Sequence, residues 1–271
     1  MPSPTEITPA QLVRLIGLPG SPAIVDVRPI GGVAYDMRIP GTFPRDPHDV
    51  GGWASDFAGK PVVVVCENGG ASSQGIAALL RTCGIAAETL AGGYSAWQAA
   101  AHPTIKTGKL PALDAKGRTV WVTRQRPKID RIACPWLIRR FVDPNAVMLF
   151  VPAGDVVAVA ERHGGAPFDI DDVFWSHRGE TCTFDAMLDE FGLEIAPLRR
   201  LATIVRAADT ARLDLAPEAA GLLAVSLGFS RMYRDDLTQL AAAMSIYDGF
   251  YRWCRDATDE THNWPASKPQ A

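Results

Sequence analysis

The sequence places a cysteine where its thiol could act as a nucleophile. Cys66 directly follows the apolar run 61–65, whose composition is typical of a buried parallel strand. We expect the N–H groups of the following loop and helix N-terminus to favour the thiolate and to hold a persulfide sulfur or a tetrahedral anion. In the alternative interpretation, Cys66 is a small apolar residue that ends the strand. The predicted anion-binding loop consists of Glu67, Asn68, Gly69, Gly70, Ala71, Ser72 and Ser73.

A second thiol, Cys134, precedes Pro135 in the other half of the chain. Proline is favoured at the first helical position, which predicts that Cys134 is an N-cap residue. A thiol at that position, near Arg131, would be acidified and could accept sulfur from Cys66 or reduce an oxyanion. The alternative is a cysteine packed beside Trp136 in the core.

Basic residues concentrate just before this helix. Segment 116–140 carries a net charge of +7, and segment 169–194 carries −7. Arginine side chains next to a helix N-terminus suit tetrahedral dianions such as chromate, sulfate or phosphate. In the alternative interpretation, the basic segment simply faces the acidic one across the fold. The candidate oxyanion ligands are Arg124, Arg126, Lys128 and Arg131.

A group of imidazole, carboxylate and thiol side chains could hold Zn or Fe in the second half. Four candidates, His177, Glu180, Cys182 and Asp185, fall within nine residues, although their spacing matches no standard zinc finger. Asp209 and His262 are remote candidates, and the alternative for Asp209 is a salt bridge to a neighbouring arginine. The predicted ligand set is His177, Glu180, Cys182 and Asp209.

Strands and helices alternate in the first half, which predicts an α/β fold with a parallel sheet. Runs 23–27, 61–65 and 85–90 are predicted strands, and residues 73–83 are a predicted helix that Gly84 ends. A short helix from Ile7 to Ile16 would begin with Thr8 as N-cap and Pro9 as first residue. Segment 29–59 is rich in Gly and Pro and is predicted to be loop.

The second half is predicted to be α+β with a mainly helical C-terminal half. Runs 119–123 and 147–151 are predicted strands, a helix is expected around 131–142, and the pattern is helical from about 183 onward. Apolar residues in the last helix recur at steps of three and four, beginning at Leu237 and ending at Cys254. The predicted organisation is a first domain over 1–104, a linker over 105–118 and a second domain over 119–271.

Four motifs of the first half resemble those of the rhodanese (sulfurtransferase) family, in the same order, over residues 8–100. Asp26–Arg28 resembles the family's early Asp-x-Arg, and Arg38–Gly41 resembles its His-Ile-Pro-Gly-Ala turn. Cys66–Gly69 resembles the active-site loop, and Leu90–Trp97 resembles the closing Gly-Gly segment. The resemblance implies a rhodanese-like fold.

The same resemblance implies that Cys66 takes up a sulfane sulfur as a persulfide and passes it to an acceptor. Such a relay needs a small-molecule sulfur donor and a thiol acceptor, and it requires no cofactor. The sequence departs from the family pattern, since residues 67–72 contain no basic side chain but do contain Glu67, and Arg38 replaces the histidine of the turn. These departures favour a persulfide or low-molecular-weight thiol route over thiosulfate. The alternative is a binding domain with weak activity.

Most of the second half resembles the C-terminal domain of ChrB-type chromate-resistance proteins. The matching stretches are 121–144, 176–193, 200–228 and 247–265. The resemblance implies a role in chromate or oxidative-stress tolerance. ChrB regulators pair this domain with a DNA-binding-like N-terminal part, whereas here a rhodanese-like domain precedes it. The alternative function is therefore a chromate- or metal-binding sensor or regulator with a weakly active rhodanese-like module.

Composition narrows the classes of partner. The net charge is −3 and the pI about 6.0, with no helix-turn-helix signature, so we do not expect DNA binding unless segment 116–140 alone provides it. No apolar stretch reaches the roughly 18 residues of a membrane span. The N-terminus lacks a signal-peptide pattern, so we expect a cytoplasmic protein. Five cysteines without a CxxC pair argue against a disulfide framework. A homodimer is compatible with the sequence.

Overall fold

The computed structural model describes residues 5–29 and 36–261 of the chain. The candidate ligand His262 lies outside these residues. Among the described residues, no helix combines the length and the apolar character that crossing a membrane would require.

A parallel sheet forms the centre of the first half. Its strands are β1 (Glu6–Ile7), β2 (Ala23–Asp26), β4 (Thr42–Pro44), β5 (Val62–Val65) and β6 (Ala87–Leu90). They lie in the order β1-β6-β5-β2-β4, and every neighbouring pair is parallel. The strand predictions at 23–27, 61–65 and 85–90 are confirmed, as is the α/β class of this half. All four valines of β5 are buried.

Side chains of β5 alternate between two separate apolar clusters. Val62, Val64 and Cys66 contact a cluster that includes Trp53 and Leu80 on one face of the sheet. The intervening valines contact a larger cluster on the opposite face, which extends into the second half of the chain. Because successive residues of a strand point to opposite faces, a strand covered on both sides must be apolar at every position. This explains the uninterrupted valine run.

The helices of the first half are short except for one. They are α1 (Pro9–Leu12), α2 (Val50–Trp53), α3 (Ala71–Thr82) and α4 (Gly93–Ala99). Thr8 is the N-cap of α1, as predicted, and forms a capping box with Gln11. The helix ends earlier than predicted, since the chain passes through turns to Gly17, whose φ is +77°. Helix α3 starts two residues before the predicted Ser73.

The prediction that segment 29–59 is loop is wrong in part. It contains β3 (Met37–Arg38), β4 and α2. Strand β3 pairs antiparallel with β7 (Ile105–Lys106), and β4 pairs with β2. These short elements depend on partners far away in sequence, so their local composition does not predict them.

A smaller sheet begins the second half. Its strands are β8 (Val120–Arg124), β9 (Val147–Val151) and β10 (Ala166–Pro167), paired in parallel in the order β10-β8-β9. The strand predictions at 119–123 and 147–151 are confirmed. The two-residue β10 was not predicted, because it is too short to show a pattern.

Helices dominate the rest of the second half, as predicted. They are α5 (Asp130–Leu137), α6 (Val156–His163), α7 (Thr183–Phe191), α8 (Ala196–Asp209), α9 (Ala219–Met232) and α10 (Asp236–Asp256). A π-helical turn, Ile138–Val142, continues α5. The predicted apolar stripe of α10 is buried at Tyr247, Tyr251 and Cys254. Leu237 is an exception, since it lies in the first turn of the helix and is exposed.

The two halves share one continuous apolar core. Phe141 lies against Gly17, where a β-carbon would overlap its ring. The backbone N–H of Gly41 donates to the carbonyl of Phe141 at 2.7 Å. The predicted linker, 105–118, is partly integrated into the fold, because it contains both residues of β7, Ile105 and Lys106, which pair with β3. The halves therefore pack as one body over this interface.

Candidate functional site

Cys66 lies at the C-terminal end of the central strand, directly before residues 67–73, which we call the anion-binding loop after the function predicted for them. Its Sγ is 3.0 Å from the Ser73 hydroxyl oxygen. The backbone N–H groups of Ser73, Gly70 and Asn68 also favour the thiolate form of this sulfur. The loop and the first turn of α3 thus surround the sulfur with donors, and the residue as a whole is 8% exposed.

Two opposing effects act on the pKa of the Cys66 thiol. Burial raises it, because a thiolate is less stable away from water. The Ser73 hydroxyl and the three N–H groups lower it, because they stabilise the charged form. The hydrogen bonds outweigh burial, so the pKa lies below its ordinary value. This environment therefore favours the nucleophilic thiolate more than an ordinary cysteine site does.

The second glycine-rich segment fixes the anion-binding loop. The N–H of Tyr94 donates to the carbonyl of Cys66, and the N–H of Ser95 donates to that of Glu67, both at 2.9 Å. Gly93 has a φ of +61°, and a β-carbon there would lie 2.5 Å from the Cys66 carbonyl oxygen. The loop therefore requires glycine at this position.

Arg28 approaches the loop from the sheet side. Its guanidinium pairs with Asp26 at 2.8 Å and stacks 3.6 Å from the centre of the Tyr94 ring. Another nitrogen of the same group is 3.9 Å from Glu67. The Asp26–Arg28 motif thus supports the backbone next to the loop and partly offsets the charge of Glu67. Sequence reasoning identified the motif but not the role of Tyr94.

The prediction that Cys134 is a reactive N-cap thiol is wrong. Helix α5 begins at Asp130, so Cys134 and Pro135 both lie inside it. Cys134 is fully buried, and burial raises the pKa of its thiol well above the ordinary value. The alternative interpretation, a cysteine packed in the core, is the one that the structure supports.

The four predicted oxyanion ligands divide between two places. Arg124 and Arg131 lie beside Asp169, with nitrogen–oxygen distances of 3.7 Å and 3.3 Å. Both line a pocket of about 420 Å³. Arg126 instead has a φ of +58° and donates to the carbonyl oxygens of Tyr233 and Ser230. It lines a different pocket, together with Lys128.

Three carboxylates converge on one imidazole nitrogen in the first of these pockets. The Nε2 atom of His177 is 3.2 Å from Asp209, 3.4 Å from Asp169 and 3.6 Å from Asp130. Asp130 begins α5, Asp169 follows β10, and Asp209 ends α8. We call these four residues the Asp–His cluster. Two of its members, His177 and Asp209, were predicted as metal ligands.

The other two predicted ligands lie outside the Asp–His cluster. Glu180 is exposed and pairs with Arg212 at 3.3 Å. Cys182 is the N-cap residue of α7, where its Sγ is 3.3 Å from Asp185. Both are displaced because the turn at 178–181 reverses the chain after His177. Their inclusion in the ligand set is therefore a wrong prediction of geometry.

Sequence reasoning missed Asp130 and Asp169. One signal existed, since Asp130 is the single acidic residue in the strongly basic segment 116–140. For Asp169 the sequence offered no comparable signal. The contact of Asp169 with Arg124 and Arg131 agrees with the interpretation that the basic and acidic segments face each other.

The close approach of three carboxylates to His177 shifts the pKa values of residues in the Asp–His cluster. Hydrogen-bonding proximity to Asp169, and then to Asp209, raises the pKa of His177 to about 10, against the opposing effect of burial. Burial, followed by the nearby carboxylates of Asp209 and Asp169, raises the pKa of Asp130 well above its ordinary range. The cluster thus concentrates negative charge around a single nitrogen.

Each half of the chain matches the model of a known protein family. Residues 8–100 match the model of the rhodanese-like domain. Residues 121–254 match the model described as ChrB, C-terminal domain. The chain therefore joins a rhodanese-like domain to a ChrB-type C-terminal domain.

Protein ChrB of Cupriavidus metallidurans is 35% identical to this chain over 148 residues, which are 53% of this chain and 44% of that protein. The chain thus spans less than half the length of this curated relative. A rhodanese-related protein of Thermoplasma volcanium is similar in structure, with 19% identity and a TM-score of 0.33, over 36% of this chain and 95% of that one. A thiosulfate sulfurtransferase of Pseudomonas aeruginosa has 23% identity and a TM-score of 0.35, over 40% and 20% of the two chains.

Proposed function

We propose that this protein is a sulfurtransferase that carries sulfur as a persulfide on Cys66. One observation supports the proposal above all others: the Cys66 sulfur lies 3.0 Å from the Ser73 hydroxyl oxygen, where this hydroxyl and the backbone of the loop lower the pKa of the thiol. These donors stabilise a thiolate, and they can stabilise the terminal sulfur of a persulfide in the same way.

The reaction is balanced without an external oxidant. The Cys66 thiolate attacks the outer sulfur of a donor persulfide, R–S–SH. The S–S bond of the donor breaks, a new S–S bond forms at Cys66, and the donor leaves as the thiolate RS⁻. An acceptor thiolate then attacks the outer sulfur on Cys66 and takes it away, which regenerates the Cys66 thiolate.

The charge of the loop supports a persulfide donor rather than thiosulfate. Glu67 is the one charged residue among residues 67–72. A carboxylate about 4 Å from a dianion costs about 2 kcal/mol even in bulk water. Arg28 offsets little of this cost, since its guanidinium already pairs with Asp26. A donor of low charge at the transferred sulfur avoids the repulsion.

Turnover with a low-molecular-weight persulfide and a thiol acceptor tests this proposal. We expect Cys66→Ser to reduce sulfur transfer to the uncatalysed rate, because the attacking atom is lost. Cys83→Ser is the matched control, since Cys83 is exposed and lies at the far end of α3. Equal turnover by the Cys66→Ser variant and the wild type would remove Cys66 from the mechanism.

The second half supports a role in chromate or oxidative-stress tolerance, because residues 121–254 match the ChrB C-terminal domain. In this role the sulfurtransferase would act on thiols and persulfides that chromate or oxidants deplete. The role predicts that cells without this protein grow less well on chromate, and that the Cys66→Ser variant fails to restore growth.

A chromate- or oxyanion-binding sensor is the second candidate function. The observation in its favour is the position of Arg124 and Arg131 on the wall of the same open pocket. Calorimetric titration of the full chain with chromate tests it, with sulfate as competitor. We expect Arg131→Gln to weaken binding by roughly 10- to 100-fold, the value of one charged hydrogen bond, and Lys128→Gln to leave it unchanged. An absence of heat with the wild type would reject the sensor.

A further inference from the structure

Four distant segments of the chain supply the Asp–His cluster. Its members come from the start of α5, the turn after β10, the loop before α7 and the last residue of α8. Ligand atoms of Asp130, His177 and Asp209 all lie within 4.8 Å of one another. This convergence does not arise from local sequence, because the three residues are 47 and 32 positions apart along the chain.

Positive charge in the pocket is unevenly shared among the three carboxylates. Asp169 has two arginine partners, Arg124 and Arg131. Among the ion pairs of the described residues, Asp130 and Asp209 have only His177 as a basic partner. A single imidazole nitrogen donates one hydrogen bond, so it cannot satisfy both carboxylates at the same time.

Asp130 provides a second, independent observation. Its side chain is completely buried, and one of its oxygens, Oδ1, has no hydrogen-bond partner among the described residues. The other oxygen, Oδ2, accepts from the backbone N–H of Thr183 at 2.6 Å. A buried carboxylate with one oxygen left unpartnered carries a substantial desolvation cost, and a cation bound to either oxygen of the group reduces that cost.

We propose that Asp130, His177 and Asp209 bind a divalent transition-metal cation, for which Zn²⁺ and Mn²⁺ are suitable probes. One imidazole and two carboxylates form a mixed nitrogen and oxygen ligand set, which suits these ions and is poor for Cu⁺. Bonds of about 2.0–2.2 Å keep ligand atoms within roughly 4 Å of each other, so small side-chain rotations complete the geometry. The proposal is independent of sulfur transfer at Cys66.

Surrounding residues hold the carboxylates in place. The hydroxyl of Thr183 donates to Asp169 at 2.9 Å, and its N–H donates to Asp130. Asp169 has a φ of +53°, a conformation that aspartate tolerates better than most residues. Hydrogen bonds that orient metal ligands in this way are worth roughly 10- to 100-fold in metal affinity. Asp169 would either support the site or complete it as a fourth ligand.

The site is accessible from solvent on one side. The side chain of His177 is 40% exposed and that of Asp209 is 20% exposed. Both line the pocket of about 420 Å³, whereas the side chain of Asp130 is fully buried and lies 3.6 Å from His177. Three protein ligands leave at least one coordination position open toward this pocket, which is the arrangement of sites that bind an external ligand on the metal.

Metal content of the purified full chain tests the proposal. The protein is loaded with Zn²⁺ or Mn²⁺, dialysed and analysed by inductively coupled plasma mass spectrometry. We expect about one equivalent of metal in the wild type, and a loss of most of it in His177→Ala and in Asp209→Asn. Glu180→Gln is the matched control that should retain the metal, since Glu180 is exposed and pairs with Arg212. Retention of the metal by His177→Ala, or its loss in Glu180→Gln, would overturn the assignment.

Titration of the metal-free wild type provides a test that does not depend on how variants fold. We expect a single saturable Zn²⁺ site per chain and a rise in melting temperature as it fills. The Cys66→Ser variant should bind in the same way, so a failure of sulfur transfer and a failure of metal binding are distinguishable. A titration without a saturable site would reject the proposal.

Discussion

At the scale of single residues, the reactivity of Cys66 depends on a balance between burial and hydrogen bonding. The sulfur lies at the end of a buried strand, which disfavours its charge, and it is surrounded by donors, which favour it. Ser73 contributes the one side-chain donor, and the remaining donors belong to the backbone. The balance can therefore be shifted by one substitution that leaves the loop intact.

We expect Ser73→Ala to raise the pKa of Cys66, because the hydroxyl that stabilises the thiolate is lost. The measurement is the pH dependence of alkylation in a Cys83→Ser background, which removes the exposed thiol. Wild-type Cys66 should still be alkylated at pH values where an ordinary thiol no longer reacts. As the pH is lowered, the Ser73→Ala variant should lose its reactivity at a higher pH than the wild type does. Ser72→Ala is the matched control, since Ser72 is exposed. An identical profile for both variants would contradict the role of Ser73.

At this scale the sequence predicted Cys66 well and the Asp–His cluster only in part. Cys66 follows a strand whose pattern is unambiguous, so its surroundings follow from general rules about strand ends. Glu180 and Cys182 were grouped with His177 because they are close in sequence. Asp130 was missed because proximity in space, created by the packing of α5 against α7, is not visible in the spacing of residues.

At the scale of secondary-structure elements, the anion-binding loop depends on the glycine pair at 92–93. Strand β6 ends beside the loop, and the first N–H groups of α4 donate to the carbonyls of Cys66 and Glu67. A tight turn with close backbone contact therefore holds the loop in the conformation that directs its own N–H groups to the sulfur.

We expect Gly93→Ala to destabilise the protein by more than 2 kcal/mol and to abolish the enhanced reactivity of Cys66. A positive φ costs a non-glycine residue about 1–2 kcal/mol, and the added β-carbon would also overlap the Cys66 backbone. Gly84→Ala is the control, because Gly84 has a φ of +76° with nothing within 4 Å of an added β-carbon. Urea unfolding measures the free energy of unfolding of both variants. Similar losses in the two variants would show that close contact at Gly93 is unimportant.

Element prediction succeeded where patterns are long and failed where partners are remote. The valine run of β5 predicts a strand, and the periodic apolar residues of α10 predict a helix, without reference to distant parts of the chain. Strand β3 has two residues and exists because β7 pairs with it from outside the segment. The start of α5 was misplaced because Pro135 normally marks the first turn of a helix, whereas here packing tolerates it in the interior.

At the scale of the whole molecule, the two halves share a core and are expected to unfold together. One face of the first sheet contributes to the same apolar cluster as the helices of the second half. Phe141 lies at the junction, fully buried, and contacts Gly17 and the ring of Tyr251.

We expect Phe141→Ala to lower the free energy of unfolding by about 3–5 kcal/mol, as for other buried phenylalanines. Both halves should lose stability, which hydrogen exchange can follow separately at β5 and at α10. Phe174→Ala is the control, since Phe174 is largely exposed. Destabilisation confined to the second half would mean that the halves are energetically independent.

The central claim is that Cys66 accepts sulfur, and peptide mass spectrometry tests it most directly. The wild-type protein is treated with one equivalent of a low-molecular-weight persulfide, digested without reductant and analysed for each of the five cysteine-containing sites. We predict the added mass of one sulfur atom on the peptide that contains Cys66, and its disappearance when a thiol acceptor is added. An unmodified Cys66, or the same modification on Cys83 alone, would contradict the claim.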